Sequence, residues 1–193
     1  MGERWALLIV RELILGPKRF TDLRQGLPGI GTNILASRLK ELERAGVVGR
    51  RTLPPPAASA VYELTEYGRE LEKPLLALGR WGARSLGRRG SNQALRPEWL
   101  AVALKAAFRP EAAVGLGASV ELRLGDSTFA VRFDGGALRV EPGPLHGADL
   151  VLTADEETLV AFLSGALPAQ RLASEGDAAL LERLPELFPL QAA

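Results

Sequence analysis

"RFTDLRQGLPGIGTNILASRLKELERAGVVGRR" (Arg19–Arg51) is the stretch on which the reading of this chain turns. Thr21 reads as the cap of a short helix, 22–26, that ends at Gly26 and Pro28. After Gly29-Ile30-Gly31, Thr32 reads as the cap of a longer helix, because its hydroxyl can accept from the freed amides of a first turn. That helix is expected to reach Ala45, with Gly46 as its C-terminal stop. At about 100° per residue, Leu35, Leu39 and Leu42 fall within about 60° of one another and must face a core. Asn33, Ser37, Lys40, Glu41 and Arg44 fall opposite them.

Upstream, Trp5, Leu8, Ile9, Glu12 and Leu13 recur at helical spacing and predict a helix over 3–15, stopped by Gly16-Pro17. Downstream, "VVGRRT" (47–52) and "AVYELT" (60–65) read as the strands of a hairpin. Their connection, "LPPPAAS" (53–59), carries three prolines that cannot donate to a ladder. Thr65 is then expected to cap a long helix over 66–86, kinked at Pro74, with Leu71, Leu75, Leu78 and Trp81 on one side.

Helix, helix, turn, helix and hairpin is the order of a winged helix-turn-helix. A helix entering the major groove presents its N-terminal residues to base edges, so Thr32, Asn33 and Ser37 are the candidates to read bases. Asn pairs bidentately with adenine; Ser discriminates less. Arg38 and Lys40 are candidates for phosphate. Arg50 and Arg51 lie on the hairpin, where a wing follows the backbone or enters the minor groove.

Charge divides the 193 residues in the same sense. Residues 1–93 carry a net +7 and residues 94–193 a net −6. A basic half suits a polyanion, and an acidic half avoids one. The sequence has no cysteine and a single histidine, His146, which excludes disulfides and thiol sensing and argues against a metal site or a histidine-dependent triad. The apolar start "WALLIV" (5–10) is interrupted at once by Arg11 and Glu12, so no signal peptide is expected. No stretch approaches the roughly 20 apolar residues of a membrane span, and a cytoplasmic location is expected.

"GRRGSNQALRP" (87–97) is polar and non-periodic and reads as a link, placed at 89–96 between domains of 1–88 and 97–193. Pro97 is expected to open a helix that reaches Phe108 and is ended by Pro110. Strands follow by alternation: Val120, Leu122 and Leu124 on one face; Phe129, Val131 and Phe133; then Leu138 and Val140. Gly125-Asp126 and Asp134-Gly135-Gly136 read as hairpin turns. "ADLVLT" (148–153) reads as a fourth strand, and Thr153 with Glu156 as a capping box for a helix over 156–164. A last helix is expected after Asp177, carrying Leu180, Leu181, Leu184 and Leu187 and broken at Pro185.

Chemistry is hard to find in this half. Asp155-Glu156-Glu157 suits a helix N-terminus, where carboxylates favour the dipole. Ser127 and Ser164 have no base near them in sequence, and "GLGAS" (115–119) lacks the lysine and spacing of a phosphate loop. No enzymatic activity and no cofactor are expected.

"RWALLIVREL", the quoted 19–51 stretch, "VYELTEYGREL" and "LGRWG" together resemble the HxlR family of bacterial regulators, relatives of MarR, over about residues 4–82. The resemblance implies a homodimer on double-stranded, pseudo-palindromic operator DNA, with the first helix and the helix after the wing at the dimer interface. Residues 97–189 resemble the sterol-carrier-protein fold, chiefly through "ADLVLTADEETLVAFLSG" (148–165) and "EGDAALLERLPELF" (175–188). That resemblance implies a five-stranded sheet with helices over one face and an apolar tunnel lined by Trp99, Phe108, Phe129, Val131, Phe133, Leu159, Phe162, Leu163 and Leu184. The expected fold class is α+β. The expected function is a dimeric DNA-binding transcriptional regulator modulated by a hydrophobic small molecule. The alternative is a carrier of hydrophobic ligands whose winged helix serves mainly to dimerise it.

Overall fold

The computed structural model describes residues 4–56, 58–83 and 96–190. The chain is mixed α and β and divides into two compact units, with the boundary between Leu78 and Gly79. Of the expected linker at 89–96, only Arg96 is among the described residues.

The N-terminal unit opens with α1 (Arg4–Leu13), then β1 (Lys18–Arg19), α2 (Phe20–Gly26) and α3 (Thr32–Arg44). Hairpin strands β2 (Val48–Thr52) and β3 (Ala60–Leu64) follow, then α4 (Glu66–Arg69) and α5 (Glu72–Ala83). Ile9, Val10 and Leu13 of α1, Leu23 of α2 and Leu35, Leu39 and Leu42 of α3 are buried, so the leucine face of α3 does turn inward. Each such side chain gains about 1.5–3 kcal/mol by leaving water.

Two caps differ from expectation. Thr21 lies inside α2, whose cap position is Arg19; the Arg19 amide donates to Asp22 Oδ2 at 3.0 Å. Thr32 is the first residue of α3, and Gly31 holds the cap position without a side-chain bond. In both places the chain begins the helix earlier, because the preceding residue already has the extended backbone a cap requires. The C-terminus of α3 is as read: Gly46 takes φ +70°, its amide bonds the Glu43 carbonyl, and the Val47 amide bonds Leu42.

β1 was not foreseen. Its two residues pair antiparallel with β3, Lys18 opposite Tyr62 and Arg19 opposite Val61, giving the order β1-β3-β2. Glu12, expected on the face of α1 that carries its apolar residues, is buried there and ion-paired. Its carboxylate lies 2.8 Å from the Arg11 guanidinium and 2.7 Å from Lys18 Nζ. Gly26 abuts it so closely that a Cβ would overlap the Glu12 carboxylate.

Thr65 caps the helix after the hairpin as expected, accepting from the Gly68 amide at 3.0 Å. That helix is not one kinked rod over 66–86: α4 ends at Arg69 and α5 starts at Glu72, while 84–86 lie outside the described residues. The proline ring of a continuous helix would meet the carbonyl four residues back, at Glu70, so the break falls there. Pro74 then sits in the first turn of α5, where no amide is required of it.

The C-terminal unit contains α6 (Pro97–Ala107), β4 (Gly117–Leu124), β5 (Ser127–Asp134), β6 (Ala137–Pro142), β7 (Leu150–Ala154), α7 (Glu156–Leu163), β8 (Ala173–Gly176) and α8 (Ala178–Leu187). The five strands run in the order β6-β5-β4-β7-β8, all antiparallel except β4 with β7. Register aligns Val140, Val131, Val120 and Leu150 in one row, and Phe129, Leu122 and Leu152 in the next. All seven are buried. Contacts of α6 with β5 and β6, and of α8 with β7 and α7, close that core.

Two local expectations fail here. Thr153 stays in β7, and Asp155 caps α7 by accepting from the Thr158 amide at 2.7 Å. Helix α8 runs through Pro185 to Leu187. That proline lies in the last turn and removes only the bond to the Leu181 carbonyl, while four buried leucines hold the helix in place. The sheet has the expected five strands; the fifth, β8, shows no alternation, and its residues "ASEG" are all exposed.

Candidate nucleic-acid interface

With Leu35, Leu39 and Leu42 committed to the core, α3 presents its other side outward. Thr32, Asn33, Ser37 and Lys40 are exposed there, and Arg38 is half-buried. The first turn of α3 contains no acidic residue, so its positive dipole end is open to an anion. One turn on, a carboxylate organises the stripe: Ser37 Oγ donates to Glu41 Oε1 at 3.2 Å, and the Arg38 guanidinium pairs with the other Glu41 oxygen.

The hairpin supplies the second group of cations. Arg50 and Arg51 are adjacent on β2 and both exposed. The Arg50 guanidinium stands 5.8 Å from the centroid of the Tyr62 ring across the ladder. Arg51 Nε lies 2.8 Å from Glu63 Oε1. An exposed pair of this kind contributes about 0–1 kcal/mol, so a phosphate can replace the carboxylate at little cost. Spacing places Glu41 on this outer face but not its grip on Ser37 and Arg38; Tyr62 and Glu63 carry no such signal in the sequence.

The HxlR-like helix-turn-helix family model matches residues 1–89. The HTH-type transcriptional regulator YodB of Bacillus subtilis is 40% identical over 81 residues, 42% of this chain and 72% of that protein. This chain belongs to the HxlR-like helix-turn-helix family. A second B. subtilis relative, the uncharacterized HTH-type transcriptional regulator YtcD, is 38% identical over 88 residues, 46% of this chain and 70% of that protein. The solved reduced form of YodB is similar at 36% identity and TM-score 0.41, covering 46% of this chain and 87% of that one. The HxlR-like match thus speaks for the N-terminal unit; residues 90–193 lie outside it. These relatives are transcriptional regulators, not enzymes.

In the C-terminal unit of this HxlR-like chain, Phe129, Val131, Phe133, Leu159, Phe162, Leu163 and Leu184 are all buried. Trp99 and Phe108 are half-buried. Phe108, Phe133 and Phe188 form a triangle of rings with centroids 5.8–6.0 Å apart. Phe188 was not expected in this cluster; it follows α8 directly and carries no periodic signal.

The opposite face of the sheet carries Ser119, Glu121, Arg123 and Arg132 beside Ala130 and Val151. Glu121 is buried there: it accepts the Leu145 amide at 2.7 Å and pairs with the Arg123 guanidinium. The Leu145 amide first, and Arg123 second, hold its carboxyl below the usual glutamate range. Asp149 is held low chiefly by the Ser119 hydroxyl and amide, and Asp155 by the Thr158 amide. Each of these carboxylates fastens a turn or a cap. His146 is exposed on a loop. Among the described residues no group of three or more His, Cys, Asp or Glu could hold a metal, and no helix is long and apolar enough to cross a membrane.

Proposed function

We propose that this chain is a homodimeric, DNA-binding transcriptional regulator. Residues 1–88 serve as its operator-binding and dimerisation domain, and 97–193 as a domain for a hydrophobic small molecule. One observation carries the reading: α3 buries its leucines and turns Thr32, Asn33 and Ser37 outward beside the arginine-bearing hairpin. Thr32, Asn33 and Ser37 read base edges in the major groove. Arg38 and Lys40 contact phosphate, and Arg50 and Arg51 hold the wing to the backbone.

Dimerisation is supported by α5, which has no buried residue and leaves Leu78 and Trp81 exposed at 55% and 68%. Such an apolar stripe suits a second copy, joined with α1 of the partner. The effector role of the C-terminal unit is supported by the clustering of Phe129, Val131, Phe133, Leu159, Phe162, Leu163 and Leu184 in its interior, with Trp99 and Phe108 at the margin. Ligand occupancy there modulates operator affinity, which requires about 1–3 kcal/mol of coupling.

The test is fluorescence anisotropy on the DNA upstream of the chain's own gene, against scrambled DNA, across a salt series. A specific preference on the order of 10³-fold or more is expected. Ser37→Ala erodes that preference, and Arg51→Ala lowers the salt slope by about one. Equal, weak binding to both DNAs would instead favour a ligand carrier that uses its winged helix only to dimerise. If no apolar compound alters operator affinity, the effector role is wrong.

A further inference from the structure

Ile34 is 46% exposed, a large apolar side chain on the outward side of α3. We infer that Ile34 is a specificity determinant: it seats against the C5-methyl group of a thymine in the major groove, so that this base pair is read by an apolar contact. The inference rests on the proposal that α3 enters the groove, and it names what that helix reads.

Local helix chemistry does not account for Ile34. It is the third residue of α3, a position where Glu or Gln reaches back to the cap amide and where a carboxylate suits the dipole. A hydrophobic staple joins the residue before the cap to the fourth helical residue. Here those residues are Ile30 and Leu35, so Ile34 is not part of the staple pair. Nor does it belong to the buried set of α3, which is Leu35, Leu39 and Leu42.

Its neighbours point to a base edge. Thr32 and Asn33 precede it, and Ser37 and Arg38 lie one turn on along the same stripe. Ser37 and Arg38 are engaged by Glu41, so a base that recruits them displaces a carboxylate. A contact at Ile34 displaces only water. Of the groups displayed in the major groove, the thymine methyl is the apolar one.

The probe is the tightest duplex that the full-length protein selects from a randomised DNA library. Deoxyuridine then replaces thymidine one position at a time, which removes the methyl and leaves the Watson–Crick pair. One replacement, or one in each half of a palindrome, is expected to weaken the wild-type protein by about fourfold, the worth of one buried methyl. Ile34→Ala is expected to bind the thymidine and deoxyuridine duplexes equally, with unaltered thermal unfolding because the side chain is exposed. If selection enriches a sequence and every replacement is tolerated, the inference is overturned while the regulator reading stands. The same holds if Ile34→Ala keeps the wild-type penalty. If no sequence enriches, both fall together.

Discussion

Glu12 is a buried carboxylate held between Arg11 and Lys18 on the inner face of α1. Its spacing put it on the buried face of α1; nothing local showed that Lys18 and Arg11 would meet it there. Removing one partner of a buried pair leaves the other charges uncompensated. Glu12→Gln is therefore expected to lower the stability of the N-terminal unit by about 3 kcal/mol, read as a shift of the urea midpoint. Glu121 gives a pH dependence. The Leu145 amide and Arg123 favour its charged form, so its folded value lies below its unfolded one. At a given acidic pH the unfolded chain binds more protons. The stabilisation is thus complete above the ordinary glutamate value of about 4.3 and is lost as pH falls through the folded value. Urea midpoints measured from pH 7 downward should drop below about pH 4, and Glu121→Gln should shrink that drop. An unchanged acid limb would show that the carboxylate does not anchor the Leu145 loop.

At the scale of elements, propensity and packing compete, and each wins somewhere. The alternation of β4 and β5 and the leucine spacing of α3 were legible, because one face of each is buried and the other wet. Proline and caps were less so. Pro74 sits at a break and Pro185 does not: α8 carries four buried leucines around its proline, and α5 has no buried residue. Gly68 puts the competition to a test. Alanine is the better helix former by about 1 kcal/mol, so sequence alone would favour Gly68→Ala. A Cβ at that position would run into the Val47 carbonyl, which accepts the Thr65 amide at 3.1 Å. Gly68→Ala is expected to destabilise by about 2–4 kcal/mol, measured by chemical unfolding. β1 and β8, at two and four residues, were too short for any period to show. They exist because neighbouring strands offered unpaired edges.

For the whole molecule, the proposed dimer makes the firmest demand. Leu78 and Trp81 face water in the isolated chain. A charge placed there costs the folded monomer little and an apolar interface much. Trp81→Glu is expected to halve the mass seen by sedimentation at micromolar concentration and to weaken operator binding, with the melting of each unit retained. If the wild-type chain already sediments as a monomer at operator-saturating concentrations, the homodimer is wrong.

The sequence by itself determined the α+β class, the winged helix-turn-helix order and the inward faces of α1, α3, β4 and β5. These follow from periods of 3.6 and 2 and from turn residues, and such information is local. The outward positions of Thr32, Asn33 and Ser37 came with them, since a helix that buries one side must show the other. Only the tertiary structure decided what the exposed side chains lean on and what the buried ones touch. Glu41 holds Ser37 and Arg38, Glu63 holds Arg51, Glu121 holds a loop, and Phe188 closes a triangle of rings. Most of these partners lie on different elements, and no spacing along the chain records which elements will meet.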